Sequence, residues 1–439
     1  MRIALFADVH ANLPALTAVL DHARSQHVDE CWNLGDMVGY GPFPNETIEL
    51  LRENCSLHIF GNHDVKSLDL ERIEKMRVRD KDQDKVFSFA WTNKALNEKS
   101  RRFIEDLTEK VSVSVGQKKV LVTHGSPEGL EDGLTPITPP GRFRELAKAV
   151  SENVVLCGHT HQYFSREVDG VLFLNPGGVG RSFDGDPRAA YVVLEIVGTR
   201  VKVFPFRLEY DQNSLVQKMK DLGFPSRLIN TFRQARSLEE LDLPPSVPEE
   251  EALAAVLEFA RTCHYEKEHA RQVVSLSLQL FDALMAEHRL GLRERFLLQS
   301  AAFLHDIGLV YGTEGHHKSS RDMVLKADKL AFSEREKIII ALVARYHRKT
   351  LPESGHRYYE DLTPSDRACV DILSAILRVA DGLDRTHRSV VKGLAVKVLS
   401  ERIRLVLTAS TDAGPEIEFA RLKGDLFQKV FGKALDIKK

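Results

Sequence analysis

Short apolar runs of strand length, each stopping at an aspartate, histidine or asparagine, constrain the first half of this chain more than any other feature. Residues 2–7 run into Asp8-Val9-His10, and residues 31–34 into Gly35-Asp36. Residues 57–60 run into Gly61-Asn62-His63-Asp64, residues 119–123 into His124, and residues 154–157 into Gly158-His159-Thr160-His161. Between the first runs lie helix signals. Asn12 is a good cap, Pro14 falls in a first turn, and Leu13, Leu16, Val19 and Leu20 recur at helical spacing. A short helix is expected over 45–51. The order is β-α-β-α-β, and α/β sheets bind ligands at the carboxyl ends of their strands. A sheet built this way gathers the polar residues at one edge.

Residues 65–110 read as charged and helical, a lid or side layer. Strands are expected around Phe164 and over 171–174, followed by Asn175-Pro176-Gly177-Gly178-Val179-Gly180. Residues 189–197 and 200–206 alternate about a turn at Gly198 and close the sheet as a hairpin. Helices over 212–222 and 225–236 lead to an acidic tract, 241–251, holding Pro244, Pro245 and Pro248, which reads as a linker. Beyond it the pattern turns helical. Val273, Leu276, Leu280 and Leu284 make one apolar stripe, and Ser333 with Glu336 forms a capping box. Thr363-Pro364-Ser365-Asp366 opens a helix carrying Val370, Leu373, Leu377 and Ala380. A β-hairpin (393–400 and 402–408) and a final helix (416–431) follow. The domains expected are 1–236 and 251–439, joined by a linker at 237–250.

The 439 residues are too many for one ordinary core. A net charge of −2 gives no case for general nucleic-acid binding. Five scattered cysteines with no C-x-x-C suit reduced thiols rather than a disulfide scaffold. With no signal-like segment and no apolar stretch near 18 residues, the expectation is a soluble cytoplasmic protein without membrane contact.

The strand-end set of Asp8, His10, Asp36, Asn62, His124, His159 and His161 mixes hard oxygens with imidazoles, a donor set for Mn, Fe or Zn. Two metals ~3.5–4 Å apart need a shared ligand, and Asp36 is the natural bridge. Coordination would lower the pKa of water towards ~7 and make a nucleophile for in-line attack on phosphorus. His63 is placed to protonate the leaving alkoxide, with Asp64 orienting it.

These motifs resemble those of the calcineurin-like metallophosphoesterases, over residues 1 to about 236. The stretch Asn175–Gly180 resembles the small prokaryotic phosphodiesterase branch. The resemblance implies an α/β fold, a four-layer αββα sandwich of two facing sheets flanked by helices. It implies one metal on Asp8, His10, Asp36 and His161 and another on Asp36, Asn62, His124 and His159. Many members follow the bridging Asp with a further Asp-Arg pair. Here the run is Met37-Val38-Gly39-Tyr40-Gly41-Pro42, with no arginine to grip phosphate. Asn12 is a candidate phosphate contact, with a helix cap as the equal alternative.

In the second half His305-Asp306 ends an apolar helix before Gly308, His269 lies on an earlier amphipathic helix, and Asp381 precedes Gly382. Buried His and Asp are costly unless paired or metal-bound. With His316-His317-Lys318, Arg345-Tyr346-His347-Arg348-Lys349 and Asp381-Gly382-Leu383-Asp384-Arg385, these segments resemble an HD domain, the C-terminal domain of exopolyphosphatase/guanosine-pentaphosphate phosphatase proteins. The resemblance covers about 251–439 and implies a mostly helical domain with an appended β-hairpin. It implies His269, His305, Asp306 and Asp381 as ligands of one or two divalent metals. His316, His317 and His347 would complete a second metal site or transfer protons. Lys318, Arg345, Arg348, Lys349, Arg385 and Arg388 would form a phosphate-binding rim. The actin-like ATPase-fold domains of that family are missing.

The expected function is a metal-dependent phosphohydrolase. Its N-terminal dimetal site would hydrolyse a small phosphodiester or nucleotide, and its HD domain would be a second phosphohydrolase site. Alternatively, the HD domain senses guanosine polyphosphates or polyphosphate and regulates the N-terminal enzyme. A homo-oligomer is compatible with either.

Overall fold

The computed structural model describes residues 1–79, 82–241 and 248–439. Residues 242–247 of the expected linker lie outside the described residues. By its internal contacts the chain divides into two compact units, Met1–Pro136 with Leu146–Asp242 and Ile137–Glu145 with Leu243–Lys439.

Two five-stranded mixed sheets build the first unit. With strands β1 (Arg2–Phe6), β2 (Glu30–Asn33), β3 (Leu57–His58), β4 (Lys110–Val115), β5 (Lys118–Thr123), β6 (Val154–Leu156), β7 (Phe164–Val168), β8 (Val171–Asn175), β9 (Ala189–Val197) and β10 (Arg200–Leu208), the orders are β10-β9-β1-β2-β3 and β4-β5-β6-β8-β7. Side-chain alternation explains the layering. Ile3 and Leu5 of β1 join Trp32, Val120, Val122, Val154, Leu156 and Leu194 in a core between the sheets. Ala4 and Phe6, pointing the other way, join Leu16, Val19, Leu20, Ile48 and Leu51 of the helices Leu13–Ser25 and Pro44–Asn54. This is the facing-sheet architecture the sequence implied. Strands β1, β2 and β3 are mutually parallel, as are β5, β6 and β8. The polar residues that follow β1, β2, β3, β5 and β6 therefore leave from the same ends of their sheets.

Two expectations need correction in this unit. The stretch 57–60 pairs as a strand only at Leu57–His58, with Ile59 in an isolated bridge to Thr108. The helical region contains the helices Asn62–Leu68, Leu70–Arg79, Gln83–Ala95 and Glu98–Glu105, but it ends at an unforeseen edge strand, β4. The alternation Val111, Val113, Val115 with Ser112 and Ser114 was its readable signal.

The second unit is mostly helical around one apolar core. Its helices include Lys267–Ala283, Leu292–Leu304, His316–Leu325, Glu334–Tyr346 and Pro364–Gly382. The capping box forms as read: Ser333 N donates to Glu336 Oε2 (3.0 Å), and Glu336 N to Ser333 Oγ (3.3 Å). The hairpin is part of a three-stranded sheet of β11 (Val391–Val398), β12 (Arg402–Ala409) and β13 (Ala434–Lys438), with β13 parallel to β12. The final helix is two, Gly414–Leu422 and Asp425–Phe431. They part at Gly424, where a Cβ would stand 2.7 Å from Leu435 Cδ2 on β13.

Candidate metal centres

The loops after β1 and β2 zip together: Asp8 N donates to Gly35 O (3.1 Å), His10 N to Asp36 O (3.0 Å) and Ala11 N to Met37 O (2.8 Å). From behind, Val179 N and Gly180 N of the glycine-rich stretch donate to Ala7 O and Asp8 O (2.9 and 3.0 Å). Gly180 is a glycine because a Cβ there would lie 1.8 Å from Val9 O. Held this way, Asp8, His10, Asp36, His159 and His161 all adopt positive φ (55°, 48°, 52°, 67° and 56°). For residues with a Cβ this conformation costs roughly 1–2 kcal/mol each, and such strain concentrates at functional sites.

The side chains converge. Asp8, His10, Asp36 and His161 each bring one ligand atom within 4.8 Å of the others. The Nε2 atoms of His10 and His161 face each other at 3.3 Å. His10 Nδ1 donates to Val38 O (3.1 Å), His124 Nδ1 to Leu34 O (2.8 Å) and His161 Nδ1 to Arg181 O (2.7 Å). Each backbone carbonyl thereby fixes the tautomer that turns an Nε2 lone pair inward. The remaining candidates adjoin this group. Asp36 Oδ2 lies 3.3 Å from His124 Nε2, and Asn62 Oδ1 lies 3.2 Å from His124 Nε2 and 3.1 Å from His159 Nδ1. So Asp36 stands between the two expected ligand sets.

The donor set fits divalent cations on two observations. Asp8 Oδ2 is buried without a hydrogen-bond partner. Asn62 presents its carbonyl oxygen to three acceptors, although hydrogen bonding alone would turn the amide over, towards Lys66 Nζ at 3.0 Å. A cation among those acceptors makes the carbonyl-inward orientation favourable. Burial pushes the Asp8 carboxyl up to about 8 against the pull of His124, and takes the His10 imidazole down to about 3. These are shifts of the protein groups alone; a bound dication inverts that logic for the carboxylates.

His63 lies beside the cluster, its ring stacked on Phe89 (5.0 Å between centroids, 24°) and tilted against Tyr40 (4.9 Å). Its backbone N–H donates to Asp36 Oδ1 (2.7 Å). The orienting role expected of Asp64 is corrected. Asp64 Oδ1 accepts from Val38 N (3.0 Å) and Oδ2 from Gly61 N (2.9 Å), so both oxygens tie down loops while His63 Nδ1 has no partner. Asn12 takes the helix-cap alternative: its Oδ1 accepts from Ala15 N (3.2 Å), and its Nδ2 donates to Gly180 O (2.9 Å). The sequence reading missed Arg181. It is buried, and its guanidinium lies 3.6 Å over the Tyr40 ring. A cation absent from the run after Asp36 thus arrives from another loop, one residue past the glycine stretch that marked it.

The second unit brings its candidates into two adjoining groups, His269, His305 and Asp381, and Asp306, His316 and His347. His269 sits near a helix start, His305 and His347 at helix C-termini, and Asp381 in the last turn of its helix. Asp306 faces both groups. Its Oδ2 lies 3.5 Å from His305 Nε2 and 3.9 Å from His269 Nε2, and its Oδ1 lies 3.0 Å from His316 Nε2 and 3.4 Å from His347 Nε2. These four imidazoles are anchored through Nδ1: His305 to Ala302 O (2.8 Å), His347 to Ala344 O (2.7 Å), His316 to Thr313 O (2.9 Å) and His269 to Asp384 Oδ2 (2.9 Å). Asp384 was quoted in the motif without a role; here it fixes His269. Lys423, also unforeseen, pairs with Asp381. Burial opposes charge on His269, but the Asp381 and Asp384 carboxylates raise it to about 10. Arg385, expected in the phosphate-binding rim, is exposed and lies 4.4 Å over the Phe419 ring.

A sequence profile of the calcineurin-like phosphoesterase superfamily domain matches residues 1–199. The chain belongs to this superfamily through its N-terminal half. Its C-terminal half is a Ppx/GppA phosphatase domain III, whose profile matches residues 253–418. The phosphoesterase half is 28% identical over 243 residues to an uncharacterised protein of Methanocaldococcus jannaschii, covering 52% of this chain and 95% of that protein. It is 26% identical over 177 residues to a phosphodiesterase of the same organism, covering 40% of this chain and 83% of the relative. A solved metallophosphoesterase from Sphaerobacter thermophilus shares 30% identity over 54% of this chain and 99% of its own, with a TM-score of 0.45. Calcineurin-like phosphoesterases are metal-dependent, and the N-terminal cluster is where this chain carries the corresponding donors. No described helix is long and apolar enough to cross a membrane.

Proposed function

We propose that the N-terminal unit, taken as residues 1–236, hydrolyses a phosphodiester bond in a small nucleotide or similar molecule. The observation that carries this is the inward tautomer of His10, His124 and His161, each set by its own backbone carbonyl, around a shared Asp36. One cation would be held by Asp8, His10, Asp36 and His161, and the other by Asp36, Asn62, His124 and His159. Divalent cations there, Mn, Fe or Zn by donor type, would supply an activated water and charge neutralisation for the phosphoryl oxygens. His63, gripped between Phe89 and Tyr40, donates the proton that lets the alkoxide leave. Asp64 keeps the loops of Val38 and Gly61 in register, which fixes the backbone that carries His63 and Asp36.

The C-terminal unit, taken as residues 251–439, is a second phosphohydrolase site. Its support is the same device, four imidazoles anchored at Nδ1 and turned inward on Asp306 and Asp381. The diester reading draws on the phosphodiesterase relative. Hydrolysis of bis-p-nitrophenyl phosphate by the metal-reconstituted full chain tests the pair. Asp36→Asn should abolish it and Asp306→Asn should spare it. Loss in Asp306→Asn with activity intact in Asp36→Asn would reverse the assignment.

A further inference from the structure

The helix Asn62–Leu68 sets Lys66 one turn beyond Asn62, on the same face. The Lys66 side chain is 11% exposed, and its Nζ lies 2.7 Å from Glu131 Oε1 and 3.0 Å from the Asn62 amide. Glu131 comes from the loop that follows His124 and is more than half exposed. Arg72 Nη2 approaches the same Glu131 oxygen at 3.7 Å. Neither Lys66 nor Glu131 enters the ligand sets or the proton donation described above, yet the ammonium stands directly against one candidate ligand.

The Asn62 amide has two orientations with opposite partners. With its carbonyl inward, Oδ1 faces Asp36 Oδ2 (3.2 Å), His124 Nε2 (3.2 Å) and His159 Nδ1 (3.1 Å), while Nδ2 faces Lys66 Nζ (3.0 Å). An amide NH₂ and an ammonium are both donors, so the outer contact is unfavourable. The inner one is favourable only with a cation among the acceptors. With the amide turned over, Nδ2 donates to those three acceptors and Oδ1 accepts from Lys66. Every group is then satisfied without a cation. The ammonium is therefore a rival for the very oxygen that a cation on Asp36, Asn62, His124 and His159 requires. A site that is competent for only part of the time binds more weakly by that fraction. Glu131 pulls the other way, because a carboxylate is a stronger acceptor for an ammonium than an amide carbonyl is.

We propose that Lys66 and Glu131 set the affinity of this second cation: Lys66 competes for the Asn62 carbonyl, and Glu131 draws it off. The proposal rests on the two-cation reading above. Both are positioning residues that act through Asn62. The set of Asp8, His10, Asp36 and His161 has no such rival, so the two cations are taken up unequally.

The test is a Mn²⁺ titration, read by the electron paramagnetic resonance of the free ion. It uses the full chain carrying Asp306→Asn and Asp381→Asn to remove the C-terminal ions. The parent should bind two ions in unequal steps. Lys66→Met should tighten the weaker step ~10-fold and leave the stronger within about twofold. Lys66→Arg, which keeps the charge, should not tighten it. Glu131→Gln should loosen the weaker step ~10-fold when Lys66 is present and by less than about twofold in Lys66→Met, because the carboxylate acts through the ammonium. If Lys66→Met does not fold, Lys66→Gln, whose carbonyl can accept from Asn62 Nδ2, should tighten the same step. A weaker step that is unmoved or loosened by loss of the ammonium would overturn the proposal. So would Glu131→Gln loosening it equally with and without Lys66. A parent that binds fewer than two ions would overturn the two-cation reading on which the proposal stands.

Discussion

Gly61→Ala is the sharpest single perturbation of the N-terminal centre. Gly61 has φ −104° and ψ 176°, which any residue adopts, so the added methyl brings no backbone penalty. What it meets is the bridge. An alanine Cβ would stand 2.1 Å from Asp36 Oδ1, 2.4 Å from Asp36 N and 2.7 Å from Asp36 Cγ. Ordinary contact requires those atoms to part by about 1 Å, and misplacement on that scale can cost on the order of 10²-fold in rate. Relief is hard to find. Asp36 is fully buried, its Oδ1 accepts from His63 N (2.7 Å), and its Oδ2 lies 3.3 Å from His124 Nε2. Moving it shifts both expected ligand sets at once. Overpacking of this kind also destabilises by about 1–3 kcal/mol. The assay is metal content by mass spectrometry, together with turnover of bis-p-nitrophenyl phosphate, on protein shown to be folded by thermal melting. Expected are a lower melting temperature, partial loss of the N-terminal ions and a rate about 100-fold down. A folded variant with full metal content and a rate within about threefold of wild type would refute the argument that Asp36 is held in a single place.

Other consequences are as direct. His63→Asn should slow esters with poor leaving groups by ~10²–10⁴-fold while metal content stays intact; equal loss on good and poor leaving groups would rule out proton donation. Asp64→Ala strips acceptors from two buried N–H groups and should cost about 1–3 kcal/mol per orphaned group, read as a lower melting temperature. A melting temperature equal to that of wild type would show that the loops hold without it. Asp306→Asn should remove ions from the C-terminal unit alone, and an unchanged total metal count would contradict its place between the two groups. Asp371 gives a pH test away from both centres. Burial raises its carboxyl from 3.8 to about 7, against the Tyr359 hydroxyl that donates to it at 2.8 Å. A folded pKa above the unfolded one means stability that is present below about pH 4 and lost as pH rises through about 7. Asp371→Asn lacks that ionisation, so its melting temperature should gain on wild type between about pH 4 and 7 and run parallel above; parallel curves throughout would count against the shift.

Much of the N-terminal centre was legible because strand ends and glycines are local signals. Gly35-Asp36 and Gly61-Asn62-His63-Asp64 stand next to their strands in sequence, and parallel pairing brings them together without further information. Partner choice across the fold was not local. Nothing in a His63-Asp64 dipeptide says that the carboxylate also binds Val38 N, which comes from the loop after β2, although its bond to Gly61 N is a local cap. Arg181 was hidden for a similar reason, since its relation to Tyr40 spans distant loops. In the second unit the candidate ligands could be named from helix ends, but Asp384 behind His269 and Lys423 on Asp381 come from later elements packed against them. The third strand β13 escaped notice because five residues after a helix carry little periodicity.

The most direct measurement is anomalous diffraction at the manganese edge from crystals of the full chain grown with Mn²⁺. Two peaks should appear among Asp8, His10, Asp36, Asn62, His124, His159 and His161, with the Asp36 carboxylate touching both. Manganese bound elsewhere in the same crystal, with no peak among these seven residues, would contradict the account.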